Sequence, residues 1–184
     1  MSYIDELTAL LRRSNCVKSG EFTLSSGRRS RIYIDLRSIL SHPREFKKLI
    51  SLCSQAIGEI EFEILAGVES SGIPLATALA LENELPMIYV RREAKAHGLG
   101  KIVEGDFEPG RRVLVVDDVA TTGSSLARAV EALRSAGLLV SDAFVVVDRR
   151  EGAGEKLAAL NVKLTPLATV DQILSRLNGG GSGC

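Results

Sequence analysis

The sequence predicts an α/β protein with a doubly wound, mostly parallel central sheet flanked by helices. Four short apolar runs alternate with stretches of helical periodicity at about 73–84 and 125–136. Each run is nearly continuous, as expected of parallel strands buried on both faces. The runs occupy residues 62–68, 86–92, 112–118 and 143–149. Parallel strands joined through helices imply right-handed crossovers and helices on both faces of the sheet.

A small hood is predicted before the sheet, mainly in residues 1–40. Apolar side chains recur at helical spacing over residues 3–13. Extended segments at 21–24 and 32–37 flank a Ser/Gly turn, which predicts a hairpin. Pro43 then suits the first turn of a helix that leads into the sheet.

The chain is predicted to end in a short helix near 153–160, an extended segment at 163–169 and a last helix at 171–177. We expect one domain over residues 1–178. The glycine-rich residues 179–184 hold no core-forming side chains, so we expect them to form a flexible tail.

Composition narrows the classes of function. The chain has 23 basic and 23 acidic residues, so no net charge favours nucleic acid or an anionic membrane as a partner. No apolar run approaches the length of a membrane span. Three cysteines lack metal-ligand spacing and leave one unpaired, which fits a reducing compartment. We therefore expect a cytoplasmic protein.

The most informative segment follows the third apolar run. Asp117 and Asp118 come directly before a loop of small hydroxyl residues and glycine that enters a helix. Backbone N–H groups at such a helix N-terminus bind phosphate, whereas two adjacent carboxylates repel it unless they hold hydroxyls or a metal. A phosphorylated sugar supplies both groups. The simpler alternative is a strand end followed by a helix cap, and no P-loop or dinucleotide-binding glycine motif is present.

Residues 113–125, VLVVDDVATTGSS, resemble the phosphoribosyl-diphosphate signature of the type I phosphoribosyltransferase family. Four further blocks resemble the members of that family that use orotate as the acceptor base. These blocks lie at residues 22–37, 67–80, 90–106 and 146–152. The resemblance implies the type I phosphoribosyltransferase fold and transfer of ribose 5-phosphate from phosphoribosyl diphosphate to orotate, giving orotidine 5'-phosphate and diphosphate in pyrimidine (UMP) biosynthesis.

The resemblance also implies roles for the signature residues. Asp117 and Asp118 would hold the ribose hydroxyls beside a cationic, oxocarbenium-like transition state. Residues 120–125 would wrap the 5-phosphate. The phosphoribosyl-diphosphate contacts implied in this segment are Asp117, Asp118, Val119, Ala120, Thr121, Thr122, Gly123, Ser124 and Ser125.

A long polar stretch with four glycines, at about 93–111, is predicted to be a lid. Four cations stand at its start: Arg91, Arg92, Lys95 and His97. A solvated basic face is the alternative, but the resemblance implies that they bind the leaving diphosphate and that Lys95 and His97 join the two aspartates in catalysis. Mg2+ would share this charge neutralisation, and no side chain is assigned as its ligand. In the family the lid crosses a dimer interface, which implies a homodimer with shared active sites.

The acceptor site is implied by other segments. Thr121 and Arg149 match positions that contact orotate in the family, and a guanidinium suits its carboxylate. Gly67 and Gly72 belong to the counterpart of the diphosphate loop, where they would permit close approach. The hood would cover the base through Phe22, Arg28 and Tyr33. Some relatives carry lysines where this chain has Ser25 and Ser71.

Two other functions share part of this pattern. A purine phosphoribosyltransferase would keep the donor loop without the same hood and lid. A catalytically silent phosphoribosyl-diphosphate sensor that regulates transcription would lose the lid cations and add a DNA-binding module.

Overall fold

The computed structural model describes residues 2–23, 29–93 and 101–179. Its first element is helix α1 (Tyr3–Arg13), which starts with a capping box: Ser2 Oγ accepts the Asp5 N–H, and the Asp5 carboxylate accepts the Ser2 N–H. Ile4 and the leucines of α1 are buried, but Tyr3, which the periodicity placed on the same face, is 51% exposed.

The hood hairpin consists of antiparallel strands β1 (Val17–Thr23) and β2 (Arg29–Ile34). The second strand starts and ends three residues earlier than the predicted segment 32–37, because residues 36–41 form a 3-10 helix. The change follows Asp35, whose carboxylate accepts hydrogen bonds from Lys18 and Arg37 and whose N–H donates to the Cys16 carbonyl. Helix α2 (Pro43–Ile57) follows, with proline in its first turn as predicted.

Within the described residues, six strands form the central sheet, in the spatial order β5-β4-β3-β6-β7-β8. All neighbouring strands are parallel except the β4–β5 pair. Their bounds are β3 (Ile64–Val68), β4 (Met87–Val90), β5 (Val103–Glu104), β6 (Arg112–Ala120), β7 (Leu139–Asp148) and β8 (Lys163–Thr169). The predicted doubly wound, mostly parallel sheet is therefore confirmed.

Helices cover both faces of the sheet, and the side chains of the strands alternate between two buried clusters. Leu65, Leu114 and Phe144 pack on the side of α1 and α2, whereas Ala66 and Val115 pack on the opposite side. The remaining helices are α3 (Gly72–Asn83), α4 (Ser124–Ser135), α5 (Ala153–Ala158) and α6 (Val170–Gly179). Buried residues of α3 and α6 belong to the first cluster, and those of α4 and α5 belong to the second.

The two edges of the sheet differ from what periodicity alone indicates. Strand β5 lies within the polar stretch predicted as a lid and pairs antiparallel with β4, with Val103 opposite Val90. At the other edge, β8 adds parallel to β7 and carries Pro166 opposite Val145. An edge strand tolerates proline because one side of its backbone needs no partner.

The helices and cysteines of the described residues bear on two expectations from composition. None of the helices described there has both the length and the apolar character needed to cross a membrane. Cys16 and Cys53 are buried thiols, with no disulfide between them.

Candidate active site

The candidate active site lies at the carboxyl end of the sheet, where open parallel sheets bind their ligands. Ala120, the last residue of β6, stands opposite Asp148, the last residue of β7. The Arg149 N–H donates to the Ala120 carbonyl at 2.9 Å. The fold thus brings together the acidic strand end, the loop after it and the predicted orotate-binding arginine.

Asp117 and Asp118 form a hydrogen-bonded, largely buried acid pair. Asp117 is only 9% exposed, and its Oδ1 accepts the Asp118 N–H at 2.9 Å. Asp118 Oδ1 in turn accepts the Val119 N–H at 2.7 Å. Burial raises the pKa of Asp117 well above its ordinary value, and the neighbouring Asp118 charge raises it further. These bonds orient both carboxyl groups at the strand end.

Burial also raises the pKa of Asp118, although several polar neighbours oppose that effect. The Val119 N–H, the Ser71 hydroxyl and the Arg37 charge all favour its ionised form. Ser71 therefore has a local role in this chain, at a position where some relatives carry lysine.

Gly72 lets helix α3 start directly against the acid pair. A Cβ atom there would overlap the Val116 carbonyl oxygen and lie 3.2 Å from Asp117 Oδ1. A Cβ on Gly67 would come within 2.9 Å of the Gly72 carbonyl oxygen. The structure shows that these glycines permit close packing of the chain's own backbone, and their role in the close approach of a ligand stays a prediction.

The loop after the acid pair has the geometry of an anion site. Gly123 adopts a φ of +74° as the N-cap of α4, a conformation that disfavours other residues. Helix α4 begins at Ser124, and the first N–H groups of any helix lack intrahelical partners. The hydroxyls of Thr122 and Ser124 are hydrogen-bonded at 3.1 Å. Two hydroxyls therefore lie at the start of α4, where the first helical N–H groups need partners from outside the helix.

A pocket of about 380 Å³, a size typical of small-molecule sites, joins the acid pair to the hood. Tyr33 lies in the pocket wall, and its ring packs on that of Phe22 with centroids 5.5 Å apart. The third predicted hood contact, Arg28, and also Ser25 lie outside the described residues. The pocket is lined by Tyr33, Ile34, Asp35, Leu36, Arg37, Ser71, Asp118, Val119, Thr121 and Arg149.

Arg149 is held in this pocket by a buried ion pair. Its Nε lies 3.1 Å from Glu151 Oε1, and the two side chains are only 14% and 6% exposed. The second carboxylate oxygen, Glu151 Oε2, is buried and makes no hydrogen bond. The pair restrains the guanidinium at the wall that faces Thr121 and Asp118.

The cations at the start of the predicted lid are placed differently from one another. Arg91 pairs with Glu104 at 3.8 Å, and its N–H donates to the Ile102 carbonyl, so it belongs to the β4–β5 edge. The Arg92 N–H donates to a Glu69 carboxylate oxygen at 2.6 Å. Burial raises the pKa of Asp117, and the Arg92 charge opposes that rise across the site. Lys95 and His97 lie outside the described residues.

Several site residues were not identified from the sequence. Asp35 and Arg37 line the pocket as an ion pair at 2.8 Å, but in the sequence they only end a run of alternating polarity. Burial makes the largest single contribution to the pKa of Asp35 and raises it, yet hydrogen bonds from Arg37 and Lys18 bring it below its ordinary value. Glu151 also gave no periodic or motif signal, because its role depends on the fold of the loop after β7.

A mostly parallel α/β sheet whose central strand carries two adjacent acids near its carboxyl end, next to a glycine-containing loop that enters a helix and to a pocket beneath the hood, defines the site of a phosphoribosyltransferase. The family described as "Phosphoribosyl transferase domain" matches residues 35–171 of the chain.

Individual relatives narrow the class. The orotate phosphoribosyltransferase of Cenarchaeum symbiosum is 45% identical over 185 residues, which cover 98% of this chain and 92% of that protein. The crystal structure of orotate phosphoribosyltransferase from Aeropyrum pernix has 45% identity and a TM-score of 0.87, covering 95% of this chain and 99% of the other. The Mycobacterium tuberculosis H37Rv enzyme in complex with phosphoribosyl diphosphate has 31% identity and a TM-score of 0.74, covering 92% and 98%. The chain belongs to the orotate phosphoribosyltransferase family.

Proposed function

We propose that this protein transfers ribose 5-phosphate from phosphoribosyl diphosphate to N1 of orotate, releasing diphosphate and forming orotidine 5'-phosphate for pyrimidine (UMP) biosynthesis. One observation carries the proposal: the acid pair adjoins both a hydroxyl-rich loop at a helix start and a pocket that Asp118 and Arg149 line together. A phosphate, a ribose and an anionic base placed in that order match these three parts. Because the donor is highly charged and does not cross membranes unaided, we place the reaction in the cytoplasm.

The acid pair would act on the ribose. Each carboxylate oxygen can accept more than one hydrogen bond, so Asp117 and Asp118 retain capacity for the 2- and 3-hydroxyls. Hydroxyl donors favour the ionised carboxylates, against the burial that raises both pKa values. Two negative charges in a water-poor site would then stabilise the positive charge that develops on the ring as the diphosphate leaves.

Mg2+ fits this site as a partner of the donor. No cluster of three or more possible ligands among His, Cys, Asp and Glu occurs in the described segments. Magnesium does not need such a cluster, since it commonly combines one or two carboxylates with substrate phosphates and water. Asp117 and Asp118 supply hard oxygen atoms of the right kind. When bound, the ion would neutralise charge on the leaving diphosphate.

The remaining cations would serve the leaving group, and a homodimer would complete the site. Arg92 is already close enough for its charge to act on Asp117. Arg91, Lys95 and His97 would need the closed lid to contribute. Helix α3 supports a dimer because it is apolar around its circumference, and Leu81 on its outer side is 77% exposed. A second copy of this chain is the expected partner for that face.

Orotate would lie between the hood and the end of β7. The guanidinium of Arg149 is suited to its carboxylate, and Thr121 is on the same pocket wall. The Tyr33 ring can cover the base from the hood side. Among the described residues that line this pocket, the basic ones are Arg37 and Arg149. Ser71, also in the lining, adds no charge.

The direct test mixes protein, orotate, phosphoribosyl diphosphate and Mg2+ and follows the ultraviolet absorbance of orotate. Orotate should be consumed, and omission of Mg2+ should abolish its loss. Asp118→Asn should lower kcat by about a hundredfold or more, as expected for loss of an electrostatic stabiliser. Asp142→Asn, on β7 outside the pocket, is the matched control. Turnover of adenine or hypoxanthine without any loss of orotate would refute the proposal.

Shared active sites can be tested by complementation. Lys95→Ala and Asp118→Asn would each inactivate a homodimer, whereas hybrid dimers would contain one intact site. After the two variants are mixed and exchange subunits, each hybrid dimer should therefore have up to about half the activity of a wild-type dimer. Leu81→Glu should shift the protein toward monomers in sedimentation and reduce activity. Full exchange of subunits without any recovery would contradict a shared site.

A further inference from the structure

A lysine from a separate segment reaches the loop that we assign to the 5-phosphate. Lys156, on α5, donates a hydrogen bond from Nζ to Ser124 Oγ at 2.8 Å. Ser124 Oγ is also 3.1 Å from Thr122 Oγ1. The ammonium group therefore stands beside the row of hydroxyls at the start of α4, although Lys156 follows Ser124 by 32 residues.

Close packing fixes the position of α5 against this loop. A Cβ atom on Gly123 would come within 2.9 Å of Ala153 Cα, so the first residue of α5 touches the loop backbone. Ala153 and Leu157 are fully buried on the side of α4. The Lys156 N–H donates to the Gly152 carbonyl at 3.1 Å. These contacts hold the backbone of Lys156 at a fixed distance from the loop.

The ammonium group of Lys156 donates to a neutral acceptor, the Ser124 hydroxyl. An anionic acceptor would bind it more strongly. Within the part of the chain that the structure describes, no carboxylate forms an ion pair with Lys156. The bond to Ser124 already has a charged donor, and a phosphate oxygen in place of the hydroxyl would add the attraction between opposite charges. The acid pair near the end of β6 also disfavours a phosphate nearby, and a cation beside the loop would offset that repulsion.

We propose that Lys156 binds the 5-phosphate of phosphoribosyl diphosphate, so that the phosphate site is built from two segments, the β6–α4 loop and α5. This inference rests on the proposed function, which identifies the loop as the 5-phosphate site. The lysine moves its hydrogen bond from the Ser124 hydroxyl to a phosphate oxygen, and the hydroxyl is released to donate to the same anion. Lys156 thus contributes affinity for the donor and none for the base.

The test compares Lys156→Met and Lys156→Arg with the wild type. Calorimetric titration with ribose 5-phosphate should show about tenfold weaker binding for the methionine variant, the loss expected for one charge-assisted bond. The KM for phosphoribosyl diphosphate should rise by a similar factor, while the KM for orotate stays within about twofold. The arginine variant should retain most of the affinity. Lys163→Met, at the exposed start of β8, is the control and should behave as the wild type.

Two results would overturn the inference. One is wild-type affinity for ribose 5-phosphate in the methionine variant, in an enzyme whose wild type consumes orotate. The other is an equal rise in both KM values, which would indicate a distorted loop instead of a lost contact. A wild type that binds ribose 5-phosphate but never consumes orotate would refute the proposed function, and the titration of the variants would still decide the role of Lys156.

Discussion

Replacing Asp117 with asparagine is expected to stabilise the fold while it reduces activity, because burial raises the pKa of this carboxyl group. Asparagine has nearly the same shape as aspartate. Its Oδ1 can still accept the Asp118 N–H, a bond of 2.9 Å in the wild type. The substitution therefore removes mainly the cost of keeping a buried charge beside a second carboxylate.

The gain in stability should depend on pH in one direction. Below the ordinary aspartate pKa of 3.8 the carboxyl group is protonated in both the folded and the unfolded chain, so the substitution has little electrostatic effect. As the pH rises above that value, the unfolded chain releases its proton while the folded chain retains it. The wild type then loses stability relative to the variant. The loss is complete once the pH exceeds the raised pKa of the folded state.

We expect Asp117→Asn to raise the free energy of unfolding by about 1 to 2 kcal/mol at pH 8, the usual size of a stabilising active-site substitution. For a chain of this length that corresponds to a Tm higher by about 2 to 8 °C. Circular dichroism melts between pH 4 and pH 8 measure the difference, with Asp142→Asn as the control. A difference in Tm that stays constant over this range, or a less stable variant, would refute the electrostatic explanation.

Three further substitutions test the packing of the fold and the positioning of Arg149. Gly72→Ala should destabilise the fold by about 1 to 3 kcal/mol, because its Cβ would overlap the Val116 carbonyl oxygen; an unchanged urea midpoint would contradict this packing. Leu133→Ala removes a fully buried side chain of α4 and should cost about 2 to 5 kcal/mol in the same assay. Glu151→Gln should raise the KM for orotate about three- to tenfold by loosening Arg149, with the KM for phosphoribosyl diphosphate unchanged. Equal effects on both KM values would exclude this positioning role.

The elements of the sheet could be predicted because their apolar runs are long enough to show periodicity. Strand β5 could not, since two residues carry no pattern and the strand forms only by pairing with β4. The 3-10 helix was also missed, because the alternating polarity of residues 32–37 continues past the point where Asp35 ends the strand. In both cases tertiary contacts overrode the local pattern.

The residues of the candidate site also fall into those that the sequence predicts and those that only the folded structure reveals. Asp117, Asp118 and the loop that follows are contiguous, so the motif and its chemistry could be inferred together. Glu151 and Lys156 make contacts that only the folded chain creates, with Arg149 and with Ser124 at the start of α4. No spacing rule connects such residues in advance. The sequence therefore predicted the acid pair and its loop, but not the side chains that contact the loop and Arg149 from other segments.

The construction of the sheet edges has a consequence for self-association. Exposed strand edges invite other chains to extend the sheet, which is a route to aggregation. Here one edge is closed by the two residues of β5, and the other carries Pro166, which has no N–H to offer an incoming strand. Sheet extension is therefore disfavoured at both ends of the central sheet, which agrees with our proposal that a second copy would pair through a helical surface, the outer face of α3.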